Sequence, residues 1–98
     1  MAQEVVISKS EKPAKRLKAS FPNKTVHFGS RKGSTFVDHK DQNKKVAWEA
    51  RHRAQEDWTD WETAGALAKN VLWNRQSLKA SVSDLNSRQS RYKFRLRT

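Results

Sequence analysis

Two segments with a period of two lie near opposite ends of the chain, and they limit the possible folds more than any other feature. In residues 16–21 and again in residues 91–97, basic or polar side chains alternate with apolar ones. Such alternation is typical of strands that bury one face and expose the other. The sequence therefore predicts strands near both ends of the chain, each with a basic outer side.

The first of these segments is predicted to start a hairpin. Residues 22–24 form a turn signal, and residues 25–28 suit the second strand. The β-branched residues 5–7 suit a further short strand, whereas the glycines and serines of residues 29–35 predict a mobile basic loop.

The middle of the chain has the helical period instead. Asp38 or Asp41 can cap a first helix that runs to about Gln55, and Thr63 and Ser77 can cap two more. The predicted core-facing stripes are Val46, Ala47, Ala50 and Ala54 in the first helix, with Trp48 to one side, then Ala64, Leu67, Ala68, Val71 and Leu72 in the second, and Leu78, Val82 and Leu85 in the third.

Together these elements predict an α+β fold, with a small antiparallel β-sheet built from the N- and C-terminal segments and packed on two to three short α-helices. At 98 residues the chain is predicted to form one small basic domain, residues 1–98. Residues 1–14 and 88–98 are either loose ends or edge strands. For residues 88–98 the strict alternation favours an edge strand over a disordered basic tail.

The charge of the chain is the main evidence on function. Lysine and arginine number 21 against 10 acidic residues, which gives a formal net charge of +11. The excess lies in residues 1–40 and 63–98, so a sheet that joins the two ends would have one positive face. A small protein of this charge binds polyanions at low salt. The sequence therefore predicts nucleic acid or an acidic protein as the partner.

Several classes of chemistry are not predicted. The chain has no cysteine, which excludes disulfides, thiolate catalysis and cysteine-ligated metals. His27, His39 and His52 lack the spacing of a helical metal-ligand pair, so structural roles are expected for them. The acidic residues 56–62 occupy one short link rather than the converging positions of a two-metal site. For these reasons no enzyme activity, cofactor or metal is predicted. No membrane partner is predicted either, because no apolar run approaches the length of a membrane span.

The basic side chains of the predicted strands and loop are the candidate nucleic-acid-binding residues. They are Lys15, Arg16, Lys18, Arg31, Lys32, Arg88, Arg91, Lys93, Arg95 and Arg97. Cations at alternate strand positions are about 6.6–7 Å apart, which is close to the spacing of successive phosphates along one strand. No known DNA-reading motif is present in the sequence, so contacts to the DNA backbone without sequence readout are expected.

The four tryptophans, Trp48, Trp58, Trp61 and Trp73, allow two interpretations. Packing at the joints between short helices is favoured. Alternatively, one or two of the rings are exposed and stack on unpaired bases, which would indicate single-strand binding.

Six short motifs, taken together, resemble a known family. They are KTVHFGS (24–30), FVDHKD (36–41), ARH (50–52), EDW (56–58), TAG (63–65) and LWN (72–74). In this order they are similar to a family of small, uncharacterised basic proteins of nucleocytoplasmic large DNA viruses, of the iridovirus, marseillevirus and mimivirus type. The similarity covers about residues 15–85, and the chain departs from the pattern at Gln76, where the family often has proline.

The resemblance implies a viral protein located in the virion or in the viral factory of the host cytoplasm, and it supplies no catalytic residues. The combined expectation is a non-enzymatic, sequence-independent nucleic-acid-binding protein that compacts or packages viral DNA. The alternative is a minor capsid or cement protein whose basic face binds acidic capsid proteins. Chromatin stays open as a further partner, and the oligomeric state is not predicted.

Overall fold

A sheet covered on one face by helices is the main feature of the structure, a computed structural model that describes residues 2–31, 34–53, 58 and 60–97. The strands of this part are β1 (Gln3–Lys9), β2 (Lys15–Ser20), β3 (Thr25–Ser30) and β4 (Tyr92–Leu96). Its helical segments are α1 (Phe36–His39), α2 (Gln42–Arg53), α3 (Ala64–Leu67), a π-helix (Ala68–Leu72) and α4 (Leu78–Arg88). The α+β fold that the sequence predicts is confirmed.

The strand order is β3-β2-β1-β4, so both ends of the chain contribute to one sheet. β1 pairs antiparallel with β2, and β2 pairs antiparallel with β3. β4 runs parallel to β1, with Gln3 opposite Tyr92. This corrects one detail of the expected fold, because the sheet is mixed rather than antiparallel. The connection from β3 to β4 contains all the helices, and a parallel neighbour needs a long crossover of this kind.

The core lies between the inner face of the sheet and the helices. Its fully buried apolar side chains include Val5, Ile7, Phe28, Leu67, Val71 and Leu85. In β4, Tyr92 and Phe94 are buried, whereas Lys93 and Arg95 between and after them are exposed. The predicted edge strand is therefore confirmed.

The outer edge of β4 is closed by α4. Gln89 donates from Nε2 to the carbonyl of Tyr92 (2.9 Å) and accepts the Tyr92 N–H at Oε1 (2.8 Å). Asn86 bonds in the same way to Phe94, the next residue whose backbone points away from β1. Side-chain amides thus occupy backbone groups that could otherwise pair with another chain.

Helix α2 is turned away from its predicted orientation. Val46 is 56% exposed, and Ala47 and Ala50 are exposed as well. Ala54 and Gln55 lie outside the described residues. The half-buried side of α2 has the helical spacing i, i+3, i+4, i+7 and consists of Lys45, Trp48, Glu49 and His52.

The polar ends of this half-buried row have partners. Lys45 donates from Nζ to the carbonyl of Asn74 (2.9 Å) and lies 5.1 Å from the ring centre of Phe36. Glu49 forms an ion pair with Lys69 in the π-helix (3.4 Å). Because these contacts compensate the charges, the row can face the rest of the protein without leaving an unpaired charge.

Three predicted helix caps are confirmed. The side chains of Thr63, Ser77 and Asp41 accept backbone N–H groups of the helices that follow them, at 3.3, 3.1 and 2.9 Å. Asp38, the other candidate for the first helix, instead forms a capping box with Thr35 at the start of α1. None of the helices in the described ranges has the length and apolar content needed to cross a bilayer.

The second predicted helix changes its geometry halfway. Its first turn is α-helical, and the N–H of Trp73 then donates to the carbonyl of Ala68 (3.1 Å), which is the i→i+5 pattern of a π-helix. Of the predicted stripe, Leu67, Val71 and Leu72 are buried, whereas Ala68 is half-buried and Ala64 is exposed. Single π-turns occur frequently at functional sites.

The start of the predicted basic loop is ordered as strand. Residues 29–30 belong to β3, and Gly29 has a φ of 80°. A Cβ atom at Gly29 would lie 2.5 Å from Cδ1 of Leu72, so only glycine fits both the conformation and the space. Residues 32 and 33 of this loop lie outside the described residues.

Candidate nucleic-acid interface

The sheet has an outer face, opposite to the core, onto which strand alternation places basic side chains. Lys93, Arg95 and Arg97 lie on the side of β4 away from Phe94, and all three are exposed. Lys18 lies on the same side of β2, with β1 between the two strands. Two of the sequence segments with a period of two therefore bring their cations to one surface.

A shallow groove runs along β1 on this outer face. It is lined by Val6, Ser8, Lys9, Lys18, Ser20 and Arg97. Among the described residues, no carboxylate belongs to this lining. A groove with cations around an uncharged floor suits a chain of negative charge such as a sugar-phosphate strand.

Two carboxylates lie near these cations and form exposed ion pairs. Glu11 accepts from Lys18 (2.9 Å), and this hydrogen bond lowers the pKa of Glu11. Glu4 lies 3.6 Å from Arg95. Water and salt screen exposed pairs of this kind and make them weak, so a phosphate can replace either carboxylate at small cost.

Arg16 and Arg31, which were predicted to bind, hold the open end of the hairpin. Arg16 forms an ion pair with Asp38 (3.1 Å) and donates to the carbonyl of Ser30 (2.8 Å). Arg31 donates to the carbonyl of Ser10 (2.8 Å). Both guanidinium groups therefore have structural partners within the fold.

Arg88 belongs to a polar cluster around Asp84. It donates to Asp84 (2.7 Å) and to Asn70 (2.8 Å), and Asp84 also accepts from Asn74 (2.7 Å) and Arg75 (3.1 Å). Burial by itself would raise the pKa of Asp84, but the hydrogen bonds from these donors outweigh it and lower the pKa to about 2. Arg88 therefore joins the π-helix to α4 rather than extending the outer face.

Two more predicted residues do not extend this surface in the described structure. By strand alternation, Lys15 lies on the Leu17 side of β2, opposite to Lys18. Lys32 lies outside the described residues.

The basic outer face consists of Lys18, Lys93, Arg95 and Arg97. Lys9 also lines the groove, at the end of β1, although strand alternation places it on the Ile7 side. Arg91, directly before β4, is exposed, but its guanidinium lies 5.1 Å from the ring centre of Tyr92, which is buried on the inner side, so this predicted residue does not extend the outer face. Lys9 was missed by the sequence reasoning because it stands at the end of β1, outside the alternating segments. Its place beside a strand edge becomes evident only from the pairing of β1 with β2.

The described residues of the acidic link form hydrogen bonds within the fold. In the described part of the chain, no three His, Asp or Glu side chains are placed to hold a metal ion. Glu62 accepts the hydroxyl of Tyr92 (2.7 Å), and burial together with this bond raises the pKa of Tyr92. Asp60 accepts the N–H of Glu62 (3.1 Å), and Asp57 lies outside the described residues.

Three of the four tryptophans form a stack in the helical layer, and Trp61 lies against Phe94 instead. The ring of Trp48 is nearly parallel to those of Trp73 (centroids 5.0 Å apart), His52 (4.3 Å) and Trp58 (6.3 Å). Trp73 is in the core, and Trp48 and Trp61 pack against it. The packing interpretation is therefore confirmed for these three tryptophans.

A cleft of about 520 Å³ lies beside this stack, between the end of β3, α2 and the π-helix. Its lining includes His39, Lys44, Trp48, Arg51, His52 and Trp73. Sequence reasoning missed the cleft because its walls come from segments that are far apart in the chain. The two histidines, although unsuitably spaced in sequence for a helical pair, are both part of it.

Comparisons with known proteins give one match. A family of unknown function (DUF5754) matches residues 5–52, which cover most of β1, all of β2, β3 and α1, and most of α2. No curated protein and no solved structure matches the chain. The resemblance to viral basic proteins, and with it the virion or viral-factory location, stays a prediction.

Proposed function

We propose that this protein binds the sugar-phosphate backbone of nucleic acid through its basic outer face, without catalysis and without sequence readout. The observation that carries the proposal is the groove along β1, where Lys9, Lys18 and Arg97 surround an uncharged floor. The resemblance to viral proteins makes compaction or packaging of viral DNA the corresponding biological role.

The spacing of the cations supports contact with a phosphate backbone. Lys93, Arg95 and Arg97 alternate along β4, so neighbouring cations are about 6.6–7 Å apart. Arginine adds a planar fork that bonds two phosphate oxygens at once. A strand-long row of this kind can follow several successive phosphates.

The composition of the outer face favours backbone contacts over base stacking. The aromatic side chains of β4, Tyr92 and Phe94, are buried on the inner side. His27 is the one ring that strand alternation places on the outer side of the described strands, and it is hydrogen-bonded to Ser10 (2.8 Å). Proteins that hold single strands by stacking present exposed aromatic rings, so duplex DNA is the proposed ligand.

The test is fluorescence anisotropy of a labelled random-sequence duplex titrated with the protein at several salt concentrations. The informative variant is Lys93→Gln with Arg97→Gln, because neither cation forms an ion pair in the described structure. Its matched control is Arg53→Gln with Lys79→Gln, two exposed cations of the helical layer. Each pair of substitutions removes the same charge.

The outer-face variant should bind more weakly, and the slope of log K against log salt should flatten by about 1.8, since each phosphate contact contributes about 0.9. The helical-layer control should change the slope by much less. Equal changes in the two variants would refute the outer face as the binding surface. Binding that disappears near physiological salt, or that heparin matches, would instead favour the alternative of an acidic capsid-protein partner.

A further inference from the structure

The cleft beside the tryptophan stack is separate from the basic outer face, because it opens in the helical layer. We propose that it binds one nucleotide unit, with the phosphate at Lys44 and Arg51 and the base on the ring of His52. The ligand is either a free nucleotide or the terminal nucleotide of a strand, which share the same chemistry.

Size and charge support an anionic ligand of this class. A volume of about 520 Å³ lies within the roughly 300–1,000 Å³ of small-molecule sites. Lys44 and Arg51 are exposed at its edge, the exposed Ser34 adds a hydroxyl, and among the described residues no carboxylate lines it. Cations without a competing acid are the groups that bind phosphate oxygens.

The aromatic wall supports a flat base as the second part of the ligand. His52 stacks on Trp48 with one face, and its Nδ1 donates to the carbonyl of Trp48 (2.8 Å), which fixes the ring. His52 is half-buried, and in the described part of the chain no other ring stacks on it. Histidine is one of the side chains on which nucleobases stack.

Small side chains leave the cleft open. Ala47, Ala64, Gly65 and Ala68 all belong to its lining, and Ala68 begins the π-helix. Ala47 is exposed, so a larger side chain there would fill the entrance without disturbing the core. Ala50, one turn further along α2, is exposed too but does not line the cleft.

The test is titration calorimetry of the full chain with adenosine 5′-monophosphate, adenosine and inorganic phosphate, alongside tryptophan fluorescence. The monophosphate should bind saturably, and each of its two parts should bind at least about tenfold more weakly. Arg51→Gln should weaken binding of the monophosphate about tenfold, because a charge-assisted contact is lost. Arg53→Gln, on the same helix outside the cleft, should leave binding unchanged.

Replacing alanines of α2 with phenylalanine tests whether the ligand binds in the cleft, because the larger side chain blocks the entrance only at a lining position. Ala47→Phe should abolish binding of the monophosphate, whereas Ala50→Phe should preserve it. His52→Phe should retain binding and His52→Ala should lose it, because a stacking ring is kept in the first and removed in the second. Circular dichroism is the check that each variant is folded.

The source of the nucleotide is tested in the Lys93→Gln, Arg97→Gln background, where binding on the outer face is weakened. If a 5′-phosphorylated hexanucleotide binds more tightly than adenosine monophosphate, and Arg51→Gln weakens both, the ligand is a strand end; equal affinities indicate a free nucleotide. The proposal is overturned if neither ligand binds. It is also overturned if Arg51→Gln weakens binding no more than Arg53→Gln, or Ala47→Phe no more than Ala50→Phe. We expect binding of the monophosphate in the cleft to be independent of the outer-face cations. The proposed function and the nucleotide site can therefore be refuted independently of each other.

Discussion

Asn86 in α4 and Phe94 in β4 are joined by two hydrogen bonds through a single side-chain amide. Nδ2 of Asn86 donates to the carbonyl of Phe94 (2.8 Å), and Oδ1 accepts the Phe94 N–H (2.8 Å). An amide side chain offers the same donor and acceptor as a peptide unit, so Asn86 replaces one residue of a neighbouring strand. Since Phe94 is 2% exposed, its backbone groups have little access to water as a substitute partner.

Replacing Asn86 with alanine should lower the free energy of unfolding by about 1–3 kcal/mol, because two backbone groups lose their partner. The loss should appear even though alanine is the better helix former. Ser83→Ala, at an exposed position of the same helix, is the matched control and should change stability by less than about 0.5 kcal/mol. Urea unfolding followed by tryptophan fluorescence measures both, and similar midpoints would contradict the role of Asn86.

Asp84 should make the protein sensitive to acid between about pH 4 and pH 2. Its pKa of about 2 lies below the value of about 3.9 for an unfolded aspartate. A lowered pKa stabilises the folded state above pH 4, and this contribution is lost as the pH falls through that window. Because Arg75 and Arg88 are about half exposed, we expect about 1–2 kcal/mol.

The Asp84→Asn variant removes the titrating group while keeping the shape of the side chain. Unfolding midpoints in urea between pH 2 and pH 6 should fall less steeply with acid in the variant than in the parent protein. Parallel pH profiles would show that other carboxylates cause the acid sensitivity.

Gly29→Ala should destabilise the protein by at least about 1–2 kcal/mol, the usual cost of a positive φ for a residue with a Cβ. The new methyl group would also force Leu72 to move. Gly65→Ala is a suitable comparison, because Gly65 lies within α3, where alanine is favoured over glycine by up to about 1 kcal/mol. Thermal unfolding should show opposite signs for the two substitutions, and equal signs would argue against the constraint at Gly29.

The orientation of α2 can be checked by comparing two large-to-small substitutions. Leu67→Ala, at a fully buried position, should cost about 2–5 kcal/mol. Val46→Ala should cost less than about 0.5 kcal/mol, since Val46 is 56% exposed. Chemical unfolding measures the free energy of unfolding of both variants. A large decrease for Val46→Ala would support the orientation of α2 that the apolar stripe predicts.

Structural features that depend only on residues close together in sequence could be predicted. The alternation around Leu17 and Phe94, and the caps at Thr63 and Ser77, express local rules of strand and helix formation. The direction of β4 could not be predicted in this way. It depends on how the helical crossover returns the chain to the sheet.

The side of α2 that faces the protein was predicted wrongly for a related reason. The sequence pattern considered apolar side chains alone, and these are Val46 and the alanines. Lys45 and Glu49 can face inward because Asn74 and Lys69, which are distant in sequence, bind their polar ends. Such compensation becomes visible only when both partners are placed.

The proposed binding surface could be predicted only in part, again because partners from distant segments are not visible in the sequence. Lys18 and the cations of β4 follow from strand alternation, which a sequence reveals. Arg16 is equally basic in sequence, but its partner Asp38 comes from another element. Arg88 pairs with Asp84 one turn earlier on the same helix, but its second partner, Asn70, lies in the π-helix. Charge patterns alone do not separate a cation that is used by the fold from one that is available to a ligand.

The parallel pairing of β1 with β4 has a consequence for biosynthesis. Gln3 in β1 is made before the whole helical crossover, and its partner Tyr92 in β4 is made only after it. Until then the nascent chain has β1 with one edge unpaired, and strands in this state readily pair with other chains. Residues 1–40 alone carry nine lysines and arginines against three acidic residues, so such nascent chains repel one another before β4 completes the sheet.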